Sequence, residues 1–270
     1  MSKYNLNTYI QMAYKKFKNN VFYDKTAAVN RERIVEFEKD NVDQKIKEIA
    51  NHLEDLEPKC WEKYQEEILR SIDVLIFPKS IKNKVSTKKY IINKDFENKI
   101  QIDAYQYFID MCVEGNILGV LWIILFGRHL DNKSSMYKHS YGNRLRATLF
   151  EKEKDISFYP GMFEPYFSQY TTWRDEGIDI AQKQLKSGND VIILTMDFKR
   201  FYYSVDFTKQ EFREIYKKVS EQEFGNELYN NKEVLYRLNE FIYAVIEKYS
   251  SKLRDIAVNE ELWYQDNMML

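Results

Sequence analysis

Turn-forming residues are scarce: 4 prolines and 8 glycines in 270 residues. That excludes a turn-rich all-β fold and favours long helices. Cysteine is nearly absent, with only Cys60 and Cys112, so neither a disulfide framework nor a cysteine zinc site is available. The three histidines, His52, His129 and His139, show no ligand spacing. The most apolar run, residues 117–126, is too short to span a bilayer. The first 20 residues are polar and lysine-bearing, unlike a secretory leader. These features predict a cytoplasmic protein with no membrane segment. Neither sign of charge dominates: the net charge is −1 although 31% of residues are charged. Nucleic acid would therefore be held by a local patch rather than by overall charge.

What the chain does have is aromatics, 21 Tyr and 17 Phe, and helical periodicity. Leu6, Tyr9, Ile10, Ala13, Tyr14 and Phe17 share one face at helical spacing. Lys3, Lys15, Lys16 and Lys18 are assigned to the other face, to solvent or to phosphate. A second helix is expected from Ala28 past Phe37, with a break at residues 40–43. A third carries Ile46, Ile49, Ala50 and Leu53. Pro58 opens a fourth, with Cys60, Trp61, Tyr64, Ile68 and Leu69 inward. Residues 73–77 and 89–93 read as strands around a lysine-rich connection, which is a solvated loop or a phosphate contact. Residues 102–111 fit strand or helix. Residues 118–126 read as a buried helix with Trp122 inside. Thr208 and Glu211 form a capping box, so Asp206 reads as a turn or cap residue. Residues 232–252 form an amphipathic helix with Val234, Leu235, Leu238, Phe241, Ile242, Val245, Ile246 and Tyr249 on its stripe.

One stretch differs in kind. Residues 191–195 are five consecutive apolar or β-branched residues, the pattern of a strand buried on both faces. It leads to a carboxylate, Asp197, and then to Phe201 and Tyr202. A carboxylate at the tip of a buried strand needs a cation, a basic side chain or backbone N–H groups. Lys199 or Arg200 is one such partner; a divalent metal is the one that also brings chemistry.

The segment Asp197-Phe198-Lys199-Arg200-Phe201-Tyr202-Tyr203-Ser204-Val205 resembles the first palm motif of reverse transcriptases. A second segment, Ser140-Tyr141-Gly142-Asn143-Arg144-Leu145-Arg146, is similar to the Tyr-Gly-x-Arg segment of the fingers in bacterial members of that family. Phe163-Glu164-Pro165-Tyr166-Phe167 and Trp173-Arg174-Asp175 follow, then a helix to Lys186 stopped by Gly188-Asn189. The order Tyr23-Asp24-Lys25, Arg31, Phe37-Glu38 resembles the N-terminal region of the abortive-infection and defence-associated group.

The resemblance implies a helix-rich α+β fold: right-hand polymerase fingers plus the first part of a palm sheet. Residues 1–187 would be N-terminal helices and fingers, and residues 188–270 a partial palm. It implies RNA-directed or untemplated DNA synthesis in anti-phage defence. Asp197 and the backbone carbonyl of Phe198 would bind Mg2+, Tyr202 would select the sugar, and Phe201 would support it. Arg144, Arg146, Arg174 and Lys199 would contact phosphate or nucleic acid. The implied partners are an RNA template, a DNA product and dNTPs, with a homo-oligomer or a partner polymerase as a further expectation. The family also has a later Asp-Asp hairpin. This sequence contains no Asp-Asp; the nearest string is Tyr264-Gln265-Asp266-Asn267. The chain is expected to stop before that hairpin. The alternative is a non-catalytic nucleic-acid-binding or oligomer-forming module with a polymerase-like fold.

Overall fold

A computed structural model describes residues 5–24, 27–81, 102–131, 141–146, 161–196, 207–221 and 231–259. The fold is a helix-rich α+β arrangement with one small antiparallel sheet among the described residues. Four helices come first: α1 (Leu6–Tyr23), α2 (Ala28–Glu38), α3 (Val42–Glu54) and α4 (Pro58–Arg70). Strands β1 (Asp73–Ile81) and β2 (Ile102–Asp110) then pair, with Asp73 opposite Asp110. Residues 102–110, which fitted two templates in sequence, are thus a strand. Next come α5 (Val113–Trp122), a π-helical turn (Ile123–Gly127) and the short α6 (Arg128–Asp131). Helices α7 (Tyr166–Lys186), α8 (Lys209–Ser220) and α9 (Lys232–Asn259) complete the described elements.

The helices form where the sequence places apolar residues at three- and four-residue intervals. Leu6, Tyr9, Ile10, Ala13, Tyr14 and Phe17 are all buried on α1, as are Ile46, Ile49, Ala50 and Leu53 on α3. Asn5 caps α1 by accepting from the Thr8 N–H at 3.0 Å, and Asn41 caps α3 in the same way through Gln44. Pro58 sits in the first turn of α4. Thr208 and Glu211 make the reciprocal capping box on α8. Helix α5 is buried almost all round and packs on α1, α2, α4 and α9.

Polar side chains stitch this core where helices end. The Arg31 guanidinium donates to the carbonyls of Val21, Phe22 and Asp24, closing the end of α1. Phe37 packs on Tyr14 at 5.5 Å between ring centroids, and the Tyr14 hydroxyl donates to Glu38 at 2.5 Å. The Arg31 and Phe37-Glu38 features of the N-terminal resemblance therefore fasten α2 onto α1. Arg33 pairs with Asp110 at the end of β2 and donates to the Met111 carbonyl at 2.9 Å. The fully buried Asn239 on α9 accepts from the Trp122 indole at 3.1 Å and donates to the Phe212 carbonyl at 2.8 Å, tying α5, α8 and α9 together.

Two expectations are corrected here. Lys16 is not on a solvated face; it is 2% exposed. It follows Tyr9 and Ala13 at helical intervals, so the buried stripe carries it inward. Residues 191–196 are not a buried strand. They have no regular structure, and Ile192 is 95% exposed, with Ile193, Leu194 and Met196 also open. A strand needs a paired edge and covered faces, and the only sheet among the described residues, β1–β2, does not include them.

Candidate nucleic-acid interface

The Tyr141–Arg146 segment folds as a pinned turn. Its left-handed residue is Asn143, at φ 52°. Asparagine tolerates that region through local hydrogen bonding. Leu145 bridges to Phe163 in antiparallel fashion. On either side the Glu164 N–H donates to the Arg144 carbonyl at 2.8 Å, and the Arg146 N–H donates to the Met162 carbonyl at 3.1 Å.

Both arginines of the turn are engaged within the fold. Arg144 Nε donates to Asp131 Oδ1 at 2.6 Å, while the other carboxylate oxygen of Asp131 accepts from the Leu145 N–H at 2.9 Å. Asp131 thus fixes the turn to the end of α6. Arg146 Nε donates to the Phe163 carbonyl at 2.9 Å. Its guanidinium fills the space beside Gly161, where an added Cβ would lie 3.1 Å from the central carbon. Lys16 of α1 feels this guanidinium. Burial first, and the Arg146 charge second, push its pKa down to about 8.

The bridge sets the turn beside the start of α7, and this is where the surface changes character. On α7 only Ala181 is buried. Tyr166, Tyr170 and Trp173 recur at intervals of four and three residues, so they form one column along the helix. Tyr166 is stacked on Tyr170 at 6.1 Å, and Tyr170 lies 5.7 Å from Trp173. Trp173 is 49% exposed and Tyr166 74%. Between this column and Tyr141-Gly142 lies an open groove of about 280 Å3, with Gln169 as its remaining lining residue. The sequence reading included Tyr166 and Trp173 only in the segments that follow the turn, and it missed Tyr170. Their one-face spacing within a helix that buries almost nothing is the signal that identifies a surface.

Arg174 flanks the column. Its Nε donates to the adjacent Asp175 at 2.7 Å, and both side chains are about half exposed. That hydrogen bond, with the Asp175 charge, raises the Arg174 pKa and lowers that of Asp175. An exposed pair of this kind exchanges readily for another anion. Helix α7 ends at Lys186, with Gly188 at φ +83° and the Asn189 N–H donating to the Gln184 carbonyl at 3.1 Å, the helix stop expected from Gly188-Asn189.

Asp197, Phe198, Lys199, Phe201 and Tyr202 lie outside the described residues, as do Asp206, the lysine-rich connection beyond residue 81 and the string at residues 264–267. The donor set expected at the metal, a carboxylate and a backbone carbonyl, is oxygen only and suits magnesium. Among the described residues no cluster of three or more His, Cys, Asp or Glu side chains could hold a metal. A larger cleft of about 360 Å3 lies elsewhere, lined by Arg33, Cys112 and Glu114 among others. Arg33 is already committed there to Asp110, and burial pushes the Cys112 thiol pKa up, which disfavours the reactive thiolate. No described helix is long and apolar enough to cross a membrane. Comparison with family models, with curated proteins and with solved structures gives no match.

Proposed function

We propose that the chain carries the fingers and first palm segment of a reverse-transcriptase-like DNA polymerase acting in anti-phage defence. The observation that carries this reading is the placement of α7. The helix links the two segments that bear the resemblance, and it presents an aromatic, solvent-open face beside the Tyr141–Arg146 turn. Such a face suits nucleic acid, whose bases stack on aromatic rings while phosphates meet arginine.

In this reading Asp197 and the Phe198 carbonyl would hold magnesium, which supplies charge neutralisation for nucleotidyl transfer. Tyr202 would sit under the incoming sugar and reject a 2′-hydroxyl. Arg174, exposed and paired only with its neighbour Asp175 among the described contacts, is the arginine best placed to meet a phosphate. Arg144 and Arg146 would act mainly by holding the turn.

Asp197→Ala in the full-length protein should abolish magnesium-dependent dNTP incorporation without lowering the melting temperature. Undiminished incorporation in that variant would remove the assignment. Tyr202→Ala should raise ribonucleotide use relative to dNTP, and unchanged sugar selectivity would take Tyr202 out of the site.

A second reading is a non-catalytic nucleic-acid-binding module. The openness of residues 191–196 favours it, because a working palm would cover that run. Salt-sensitive nucleic-acid binding with no incorporation by the native protein would select it.

A further inference from the structure

We propose that the groove between Tyr141 and the Tyr166–Tyr170–Trp173 column is a binding slot for unpaired nucleobases of a single strand. The nucleic-acid class of the ligand rests on the reading above; the slot itself rests on geometry.

The lining has three properties that together select a base. Its aromatic residues come from two elements, Tyr141 of the turn and Tyr166, Tyr170 and Trp173 of α7, so a planar guest finds ring surface on both. The rings of the column repeat at about 6 and 4.5 Å along the helix axis, which lets successive bases of one strand find successive rings. The edges of the slot are polar: the hydroxyls of Tyr141, Tyr166 and Tyr170 and the amide of Gln169 offer donors and acceptors to base edges. A protein anchor of leucine type would leave those groups facing apolar surface. Arg174 flanks the column with an exposed guanidinium, the complement of a strand's phosphates.

The slot is held ready. Tyr141 precedes a turn fixed by Asp131, by the Leu145–Phe163 bridge and by Asn143 in its left-handed conformation. The column sits on a helix that is regular from Tyr166 to Lys186. Binding therefore orders little of the protein, which favours affinity.

The test is titration of the full-length protein with a fluorescent oligothymidylate of about 12 nucleotides, a length one such site can engage. Trp173→Ala and Tyr170→Ala should each weaken binding about tenfold, the range of a lost base–aromatic stack. Trp173→Phe should restore most of it. A blunt duplex of the same length, whose bases are already stacked, should bind little better to the native protein than to Trp173→Ala. Affinities of both alanine variants within about twofold of native would overturn the proposal. So would a native dimer that Trp173→Ala makes monomeric with oligonucleotide affinity unchanged, because the face would then belong to a second copy.

Incorporation assays on the same native protein separate the two ideas. Oligonucleotide binding through Trp173 without nucleotide incorporation would leave the slot standing and reject the polymerase. Incorporation together with unchanged affinity in Trp173→Ala would reject the slot alone.

Discussion

Helices α9 and α7 are the two longest among the described residues, at 28 and 21 residues, and both are rich in apolar side chains. On α9 those side chains are consumed by the fold. Val234, Leu235, Leu238 and Phe241 are buried against α3, α4 and α5, and Phe241 meets Trp61 edge-on at 6.2 Å. On α7 they are left in solvent: Tyr166, Phe167, Tyr170, Trp173, Ile178, Ile180 and Leu185 are all exposed. The polar residues differ in the same sense. Arg237 of α9 is buried and donates to the Leu53 and Asp55 carbonyls at 3.1 and 2.6 Å. Arg174 of α7 pairs only with the residue beside it among the described contacts. One helix holds the molecule together, and the other is presented by it. A large exposed aromatic face set beside a rigid turn marks a site of interaction more than an accident of packing.

The sharpest contrast is in apolar truncation. Phe241→Ala should destabilise the protein by about 3–5 kcal/mol, the range for a fully buried phenylalanine. Trp173→Ala, removing a larger ring from α7, should change stability by only about 0.5 kcal/mol. Urea unfolding of the two variants decides it. A comparable loss in Trp173→Ala would mean that α7 packs in solution as α9 does.

The arginines give a smaller effect. Arg237→Ala leaves two carbonyls at the end of α3 without their donor and strips the guanidinium from Glu233. The cost should be about 1–3 kcal/mol. Arg174→Ala should leave the melting temperature unchanged within error, because an exposed pair between adjacent residues adds little. Equal shifts in the two variants would contradict the division of labour between the helices.

Legibility in the sequence follows range. The stripes of α1, α3, α4 and α9 were readable because each repeats within one helix, and the capping box of Thr208 and Glu211 on α8 needs only four residues. The expected break near residues 40–43 falls between α2 and α3. What depended on distant partners was hidden. Nothing near Asn239 announces Trp122 of α5, and nothing near Asp110 announces Arg33. The left-handed conformation falls on Asn143 although glycine, its neighbour at 142, is the commoner residue there. Residues 191–195 misled because a β-branched run reports affinity for burial, not the presence of something to bury it. At the candidate site the turn and the helix were legible. The aromatic slot was not, because it exists only once Tyr141 and α7 are brought together.

The subtlest contrast concerns lysine. Lys183 and Lys186 end α7 in solvent, whereas Lys16 is buried on α1 near Arg146. Burial and that neighbouring charge push the Lys16 pKa down from its ordinary 10.5 to about 8. Between these values the unfolded chain holds the proton and the folded one does not. The Lys16 contribution to stability then rises with pH across that window. Tyr14 and Tyr64 work the other way. Burial is the main cause that pushes both upward, so they hold their protons in the fold, and stability falls once the unfolded tyrosines ionise near pH 10. The thiols of Cys60 and Cys112 are also held above their ordinary range, so they oppose the rise from about pH 8.5, where unfolded thiols ionise. The Lys16 contribution of about 1–2 kcal/mol between about pH 8 and 9.5 is therefore the difference between the native protein and a variant lacking the amine. Urea midpoints at the two ends of that window measure it. Lys16→Met, which keeps the buried stem and removes the titrating group, should remove that contribution. Native and Lys16→Met profiles that run parallel across the window would show that Lys16 keeps its proton in the fold, and that its charge is compensated where α1 meets the turn.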